Sequence, residues 1–150
     1  MVIAPSSQDE YATLAAFLRH RAQVRLSEDL RMIGWLTREG LQIVVGFNSF
    51  VGRTCHMHVA MREGYRFTPR AMLRACFGYA FEQAGCQVVF GMVNSKNESA
   101  MRYNRHLGFV ERLRYPGLHD DGGDLVLFEM QRENCRYLEV RHDLTPAFVS

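Results

Sequence analysis

Hydrophobic and polar positions follow a helical period in the first part of the chain. Between residues 11 and 18 the apolar side chains recur at helical spacing. Ser7 stands three residues before Glu10, an arrangement in which the two side chains cap the first amides of a helix. The pattern therefore predicts a short strand at residues 2–4 and a first helix from about Ser7 to Gln23.

The next segment is typical of three antiparallel strands. Residues 32–38 (MIGWLTR) and 41–47 (LQIVVGF) are apolar runs joined by a turn signal at Glu39-Gly40. A third strand, within residues 53–61 (RTCHMHVAM), is expected to follow a turn at residues 48–52, since asparagine and glycine tolerate turn geometry. A helical turn is predicted at residues 27–31, before the first of these strands.

A second helix and a buried strand are predicted next. Thr68 and Pro69 are typical of a capped helix start with proline in the first turn, and Gly85 suits the left-handed position after the last turn. Residues 87–93 (QVVFGMV) form an apolar run dense enough for a strand that is covered on both faces.

A third helix and two strands complete the pattern. The helix is predicted from Asn97 to Leu107 and ends at Gly108, and the strands are predicted at residues 109–115 and 124–130. The resulting order is strand, helix, three strands, helix, strand, helix, two strands. This order predicts an α/β fold with a mixed sheet, helices on its faces, and parallel strands on either side of the crossover helices.

Length and composition indicate one domain at residues 1–132 and a tail at residues 133–150. A chain of 150 residues is the size of a single packed core. The tail has no clear period and is interpreted either as a clasp against a partner, such as a second copy, or as a frayed end. The sequence shows no membrane span or signal peptide, which favours a cytoplasmic protein whose four cysteines are reduced and mostly buried.

Charge narrows the function only slightly. The formal net charge of +2 is too small to indicate nucleic-acid binding, and the arginines are scattered among sixteen acidic residues. Lys96 is the single lysine among 18 basic residues. Arginine suits bidentate contact with phosphate or carboxylate, although a preference for arginine codons explains the bias equally well.

The element order, together with the helix NESAMRYNRHLGF that starts at Asn97, resembles the GNAT superfamily of N-acetyltransferases. The resemblance covers residues 1–132 and is strongest from Cys55 to Phe109. It implies a mostly antiparallel central sheet with helices on both faces, and a splayed parallel strand pair at an acetyl-CoA site. Within the superfamily, the chain looks most like the branch that acetylates protein N-termini.

The resemblance also implies which residues bind acetyl-CoA. The family's phosphate loop corresponds to residues 66–71, where Pro69 replaces a glycine and removes one amide. A helix N-terminus suits a pyrophosphate, and arginine side chains add charge-assisted contacts. The strand before the loop would pair with the pantetheine arm, which Asn97 would also contact. The implied residues are Val59, Ala60, Met61, Arg66, Phe67, Thr68, Arg70, Ala71 and Asn97.

Four residues are candidates for the acetyl-transfer chemistry. By the resemblance, His56 lies near the position of a family glutamate, and His58 follows on the same strand face; imidazole is suited to accept a proton near neutral pH. The position of the family's tyrosine acid holds Asn104, with Tyr103 one residue earlier and about 100° away around the helix. The histidines can alternatively form a polar strand face or an incidental metal site, and Tyr103 can belong to the core.

Three functions remain open at this stage. The first is an acetyl-CoA-dependent transfer to an amine acceptor that is either a small molecule or a protein. The second is a non-catalytic GNAT fold that serves as a binding or assembly module, and the third is nucleic-acid binding, which is not expected. Acidic residues near the predicted opening can attract an amine or be solvated loop charges: Glu28, Asp29, Asp120, Asp121 and Asp124.

Overall fold

A seven-stranded sheet runs through the part of the chain that the computed structural model describes, residues 1–138. The strands are β1 Val2–Ile3, β2 Arg31–Thr37, β3 Gly40–Val51, β4 Thr54–Met61, β5 Val88–Asn94, β6 Val110–Tyr115 and β7 Leu125–Gln131. The helices are α1 Gln8–Ala22, α2 Arg70–Gly78, which continues as a π-helical turn at Tyr79–Gln83, and α3 Glu98–Leu107. The predicted order of elements is confirmed.

Strand order in the sheet is β1-β2-β3-β4-β5-β7-β6. The pairing of β4 with β5 is parallel, and every other recorded pair is antiparallel. This is the arrangement that a helical crossover between β4 and β5 requires. The predicted mixed, mostly antiparallel sheet is therefore confirmed.

The parallel pair opens along its length. β4 and β5 are paired from Thr54–Val88 to His56–Phe90, and then the pairing stops although both strands continue. β4 pairs regularly with β3 from His56, opposite Asn48, to Met61, opposite Ile43, and this stretch contains no bulge. The splay therefore does not come from the local bulge that the resemblance placed in β4. The irregular pairing of this hairpin lies in β3, after Asn48.

Helices cover both faces of the sheet, as predicted. On one face α1 packs over β2, β3 and β4, and its Leu18 lies so near Gly46 that an added Cβ would be 2.5 Å from Leu18 Cδ2. On the other face α2 and α3 enclose a larger core around Phe77, Phe81 and Phe128. Each helix thus supplies one apolar stripe to the sheet.

The predicted turn at residues 48–52 is wrong in its position. β3 continues to Val51, and the turn is confined to Gly52 and Arg53. The chain bends within the strand, where Ser49 has a φ of 52° and the Phe50 amide donates to Asp29 Oδ2 at 3.0 Å. Composition signalled a turn, but pairing across the hairpin keeps Asn48 in the sheet. Of the predicted residues 27–31, residues 27–30 form a turn with no helical element, and Arg31 is already the first residue of β2.

Most helix ends agree with the sequence patterns. Ser7 accepts from the Glu10 amide, Asn97 accepts from the Ala100 amide, and Gly108 has a φ of 106° at the end of α3. The start of α2 differs, because Pro69 is the N-cap residue and no side chain caps this helix. Thr68 therefore does not perform the predicted capping role.

The remaining predictions concern the cysteines, membrane spans and the tail. Cys55, Cys76 and Cys86 are buried thiols, and no helix within residues 1–138 is long and apolar enough to cross a membrane. Tyr137, near the start of the predicted tail, stacks on Phe77 with ring centroids 5.1 Å apart. The rest of the tail, residues 139–150, lies outside the described residues.

Candidate active site

The cleft between β4 and β5 is bordered by the predicted pantetheine-binding segment. Val59, Ala60 and Met61 follow the last parallel pair, and on their other side they pair with Val45, Val44 and Ile43 of β3. A strand that has lost one neighbour leaves backbone amides and carbonyls on that edge without ladder partners. This edge can accept an extended amide-containing ligand as an added strand.

The start of α2 lies at the end of the loop that follows β4. The helix has no side-chain cap, so the amides of its first turn lack side-chain acceptors. Arg66 and Arg70 are exposed and form no ion pair among residues 1–138, and the Phe67 ring is 69% exposed. Free amides, the positive end of the helix dipole and two arginines together favour an anionic group.

Thr68 and Tyr103 bind each other across the loop and α3. Their hydroxyl oxygens are 2.9 Å apart, and burial raises the pKa of Tyr103 to about 12. Tyr103 also packs against the core on this face of the sheet. The phenol is therefore a protonated structural group that joins α3 to the loop before α2, which supports the core interpretation of Tyr103.

Asn104, where the resemblance would place a tyrosine, faces its own helix and β5. Its Nδ2 donates to Ala100 O at 2.9 Å, and its Oδ1 would be 3.1 Å from a Cβ added at Gly91. Gly91 therefore allows Asn104 to approach the strand closely. At the other end of α3, Asn97 uses its Oδ1 as the cap, which leaves its Nδ2 as a possible donor to a ligand.

His56 and His58 lie on the face of β4 that is turned towards α1. His56 is in the last pair before the splay, with its ring 5.5 Å from that of Phe90. His58 lies beyond the last pair, and its Nε2 is 2.7 Å from Asn48 Oδ1. The structure thus places both predicted histidines where β4 and β5 begin to separate and adds Asn48, which the sequence pattern placed in a turn.

Burial keeps both imidazoles neutral at physiological pH. Desolvation lowers the pKa of His56 below its usual 6.5. Desolvation, followed by the nearby charge of protonated His56, lowers the pKa of His58 to about 4. A neutral imidazole has a lone pair that can accept a proton. No group of three or more potential metal ligands occurs in residues 1–138, so the alternative of a metal site gains no support there.

Three of the acidic residues that the sequence placed near the opening have structural partners. Asp29 accepts from the Ser27 hydroxyl and the Phe50 amide, and these bonds lower its pKa. Asp121 accepts from the Gly123 amide and from Asn94, and these bonds lower its pKa. Asp124 accepts from the Gly117 amide and pairs with Arg114 at 3.3 Å. These carboxylates shape the loops, which supports the structural alternative for them.

Comparison with solved structures places this geometry in a known fold. The sequence matches no protein-family model and no curated protein. Over 93% of this chain and 96% of the other, the structure is similar to a mutant of spermidine N-acetyltransferase SpeG from Vibrio cholerae, with a TM-score of 0.72 and 11% identity. It is also similar to yncA from Salmonella typhimurium, solved with its cofactor acetyl-CoA, with a TM-score of 0.68 and 14% identity over 87% and 92% of the two chains. The chain therefore has the GNAT acetyltransferase fold.

Proposed function

We propose that this protein is an acetyl-CoA-dependent N-acetyltransferase that acts on a primary amine. The observation that carries the proposal is the splayed β4–β5 cleft, together with a neutral histidine pair where the strands separate and the uncapped N-terminus of the helix that follows β4. Neighbours with the same fold include a spermidine N-acetyltransferase and a protein solved with acetyl-CoA. Site and fold therefore support the same class of reaction.

The residues around the cleft fit the parts of acetyl-CoA. The first-turn amides of α2, including that of Ala71, together with Arg66 and Arg70, would hold the pyrophosphate. The open edge at residues 59–61 would pair with the pantetheine amides, and Asn97 Nδ2 would donate to the same arm. Phe67 and Thr68 complete the loop. Pro69 supplies no amide, so this cradle relies more on arginine than a glycine-containing loop does.

The thioester supplies an activated acetyl carbon, and the protein must provide a proton acceptor for the attacking amine. We assign this role to the His56–His58 pair, because both rings are neutral and lie where β4 and β5 separate. General base catalysis typically contributes about 10² to 10⁴-fold to the rate. Tyr103 is not assigned as the acid, because its hydroxyl is bonded to Thr68. Asn104 remains a candidate donor to the departing sulfur.

Calorimetry with acetyl-CoA tests cofactor binding, and Arg70→Ala tests the cradle. Arg70 lies in the first turn of α2, whereas Arg74, which is also exposed, lies one turn later and provides the matched control. Loss of a charge-assisted contact of roughly 1.5 kcal/mol predicts about tenfold weaker binding for Arg70→Ala and a much smaller change for Arg74→Ala. No binding at millimolar acetyl-CoA, or equal effects of the two variants, would contradict this assignment.

Acetyl transfer is then tested by detecting free CoA with a panel of amines. The panel contains polyamines, arylamines and peptides with free α-amino groups, because the acceptor is proposed to be either a small molecule or a protein N-terminus. The peptides with free α-amino groups test the resemblance to the GNAT branch that acetylates protein N-termini. Binding of acetyl-CoA without transfer to any amine would instead favour a non-catalytic module, an alternative supported by the asparagine at position 104.

A further inference from the structure

Asn48 is a buried polar residue that neither the sequence patterns nor the fold assigns to the reaction. Asn48 is 7% exposed, and its Oδ1 lies 2.7 Å from His58 Nε2. An amide oxygen can only accept a hydrogen bond, so at this contact the imidazole nitrogen must be the donor. A neutral His58 bound in this way carries its proton on Nε2, and its Nδ1 has the lone pair.

The surrounding backbone holds Asn48 in this position. Asn48 is opposite His56 in the β3–β4 ladder, and the regular register ends there. Immediately afterwards the chain turns through Ser49 with a positive φ, and Asp29 binds the Phe50 amide. The residue opposite His58 in the β3–β4 ladder is Gly46, and Leu18 of α1 packs closely over Gly46. The contact between Asn48 and His58 is therefore enclosed between β3, β4 and α1.

The geometry points to Asn48 as a positioning residue that fixes the tautomer and orientation of His58, and so to His58 Nδ1 as the proton-accepting atom of the histidine pair. This inference rests on the proposed acetyl transfer. When the amine attacks the thioester, the nitrogen lone pair forms the N–C bond to the acetyl carbon, and the C–S bond breaks with its electron pair leaving on the sulfur of CoA. In the proton-transfer step an N–H bond of the same nitrogen breaks, its electron pair stays on nitrogen, and the proton forms a bond to Nδ1. The resulting imidazolium keeps its Nε2–H donor on Asn48 Oδ1, which stabilises the charge.

Two substitutions of Asn48 separate this role from simple packing. Asn48→Leu removes the acceptor at similar volume, whereas Asn48→Asp keeps an oxygen acceptor at the same place. Gln42→Leu is the matched control, because Gln42 is also a buried amide on β3 and is 3% exposed, but its side chain donates to Thr37 and Gly40. All variants are compared as folded proteins after their thermal unfolding has been checked.

The first readout is the tautomer of His58, measured by long-range proton–nitrogen NMR of the ¹⁵N-labelled full chain without acetyl-CoA or amine. His58→Gln assigns the signals. We expect the Nε2–H tautomer in the wild type, Asn48→Asp and Gln42→Leu, and its loss or mixing in Asn48→Leu. An Nδ1–H tautomer in the wild type, or no change in Asn48→Leu, would overturn the inference whether or not the protein transfers acetyl groups.

The second readout is kinetic. Asn48→Leu is expected to lower kcat at least about tenfold while KM for acetyl-CoA stays within about twofold, and Asn48→Asp is expected to restore most of the rate. A changed tautomer with unchanged kcat would remove His58 from the acceptor role. A wild-type protein that shows the Nε2–H tautomer but no transfer to any amine would contradict the proposed function and leave the contact between Asn48 and His58 intact.

Discussion

At the scale of single residues, the proposed chemistry depends on two histidines whose pKa values are lowered by burial. A base must be neutral to act, so a lowered pKa extends activity to lower pH. We predict that the acid limb of the pH–kcat/KM profile has an apparent pKa below 6.5, the usual histidine value. The assay for this profile should use an arylamine whose conjugate acid has a pKa below about 5, so that the amine itself stays neutral over the pH range of the acid limb.

The variant that checks this assignment is His56→Gln/His58→Gln. Removing both imidazoles should lower kcat by about 10² to 10⁴-fold and abolish the acid limb. Binding of acetyl-CoA, measured separately, should change little, because neither ring belongs to the proposed cradle. An acid limb that persists unchanged in the double variant would assign the titration to another group.

Single residues with local roles were predictable from sequence, and those with long-range roles were not. Asn97 and Gly108 act within one turn of α3, so their spacing was sufficient to predict the cap and the end of the helix. The role of Asn48 depends on a partner ten residues away across a hairpin, and its composition suggested a turn. Tyr103 and Asn104 are adjacent in the sequence, but the residues that they contact, Thr68 and Gly91, could be identified only from the fold.

At the scale of elements, the Thr68–Tyr103 contact joins the loop before α2 to α3. Tyr103→Phe removes the hydroxyl and leaves Thr68 without its partner, so we predict a loss of about 1 kcal/mol in the free energy of unfolding. We expect kcat to change less than about threefold, because the hydroxyl has a structural partner. Urea unfolding and steady-state kinetics measure the two quantities.

Thr68→Val and the double variant Thr68→Val/Tyr103→Phe complete a double-mutant cycle for the same contact. If the two hydroxyls bind each other, the coupling energy should be about 1 kcal/mol, and the double variant should be little worse than either single one. Additive losses would show that the contact does not contribute to stability. A fall in kcat of more than about a hundredfold in Tyr103→Phe alone would restore Tyr103 as a candidate acid.

The order of elements was predictable because hydrophobic periods of two and 3.6 are local signals. The splay between β4 and β5 was expected only through the family resemblance. No residue pattern in β4 encodes it, since the ladder with β3 is regular to Met61. The uncapped start of α2 was also not predicted, because Thr68 and Pro69 resemble an ordinary capped helix start while the threonine hydroxyl binds a distant tyrosine.

At the scale of the whole molecule, His58 links the architecture of the site to the stability of the fold. The ring lies on the sheet face that α1 covers, and burial, followed by the nearby charge of protonated His56, lowers its pKa to about 4. In the unfolded chain the same imidazole has a pKa of about 6.5. The unfolded state therefore binds a proton first as the pH falls, which favours unfolding between pH 6.5 and 4.

This linkage predicts that the free energy of unfolding falls by up to about 2 kcal/mol between pH 7.5 and 5.0 because of His58. The contribution is fully present above pH 6.5 and is lost progressively as the pH falls towards 4. Urea unfolding of the wild type and His58→Gln should show a smaller pH-dependent loss in the variant. Between pH 7.5 and 8.5 the imidazole is neutral in both states, so the difference between the two proteins should stay constant there. Equal losses in both proteins at pH 5.0 would mean that His58 is protonated in the folded state, and Nδ1 would then not be free to accept a proton from the amine at that pH.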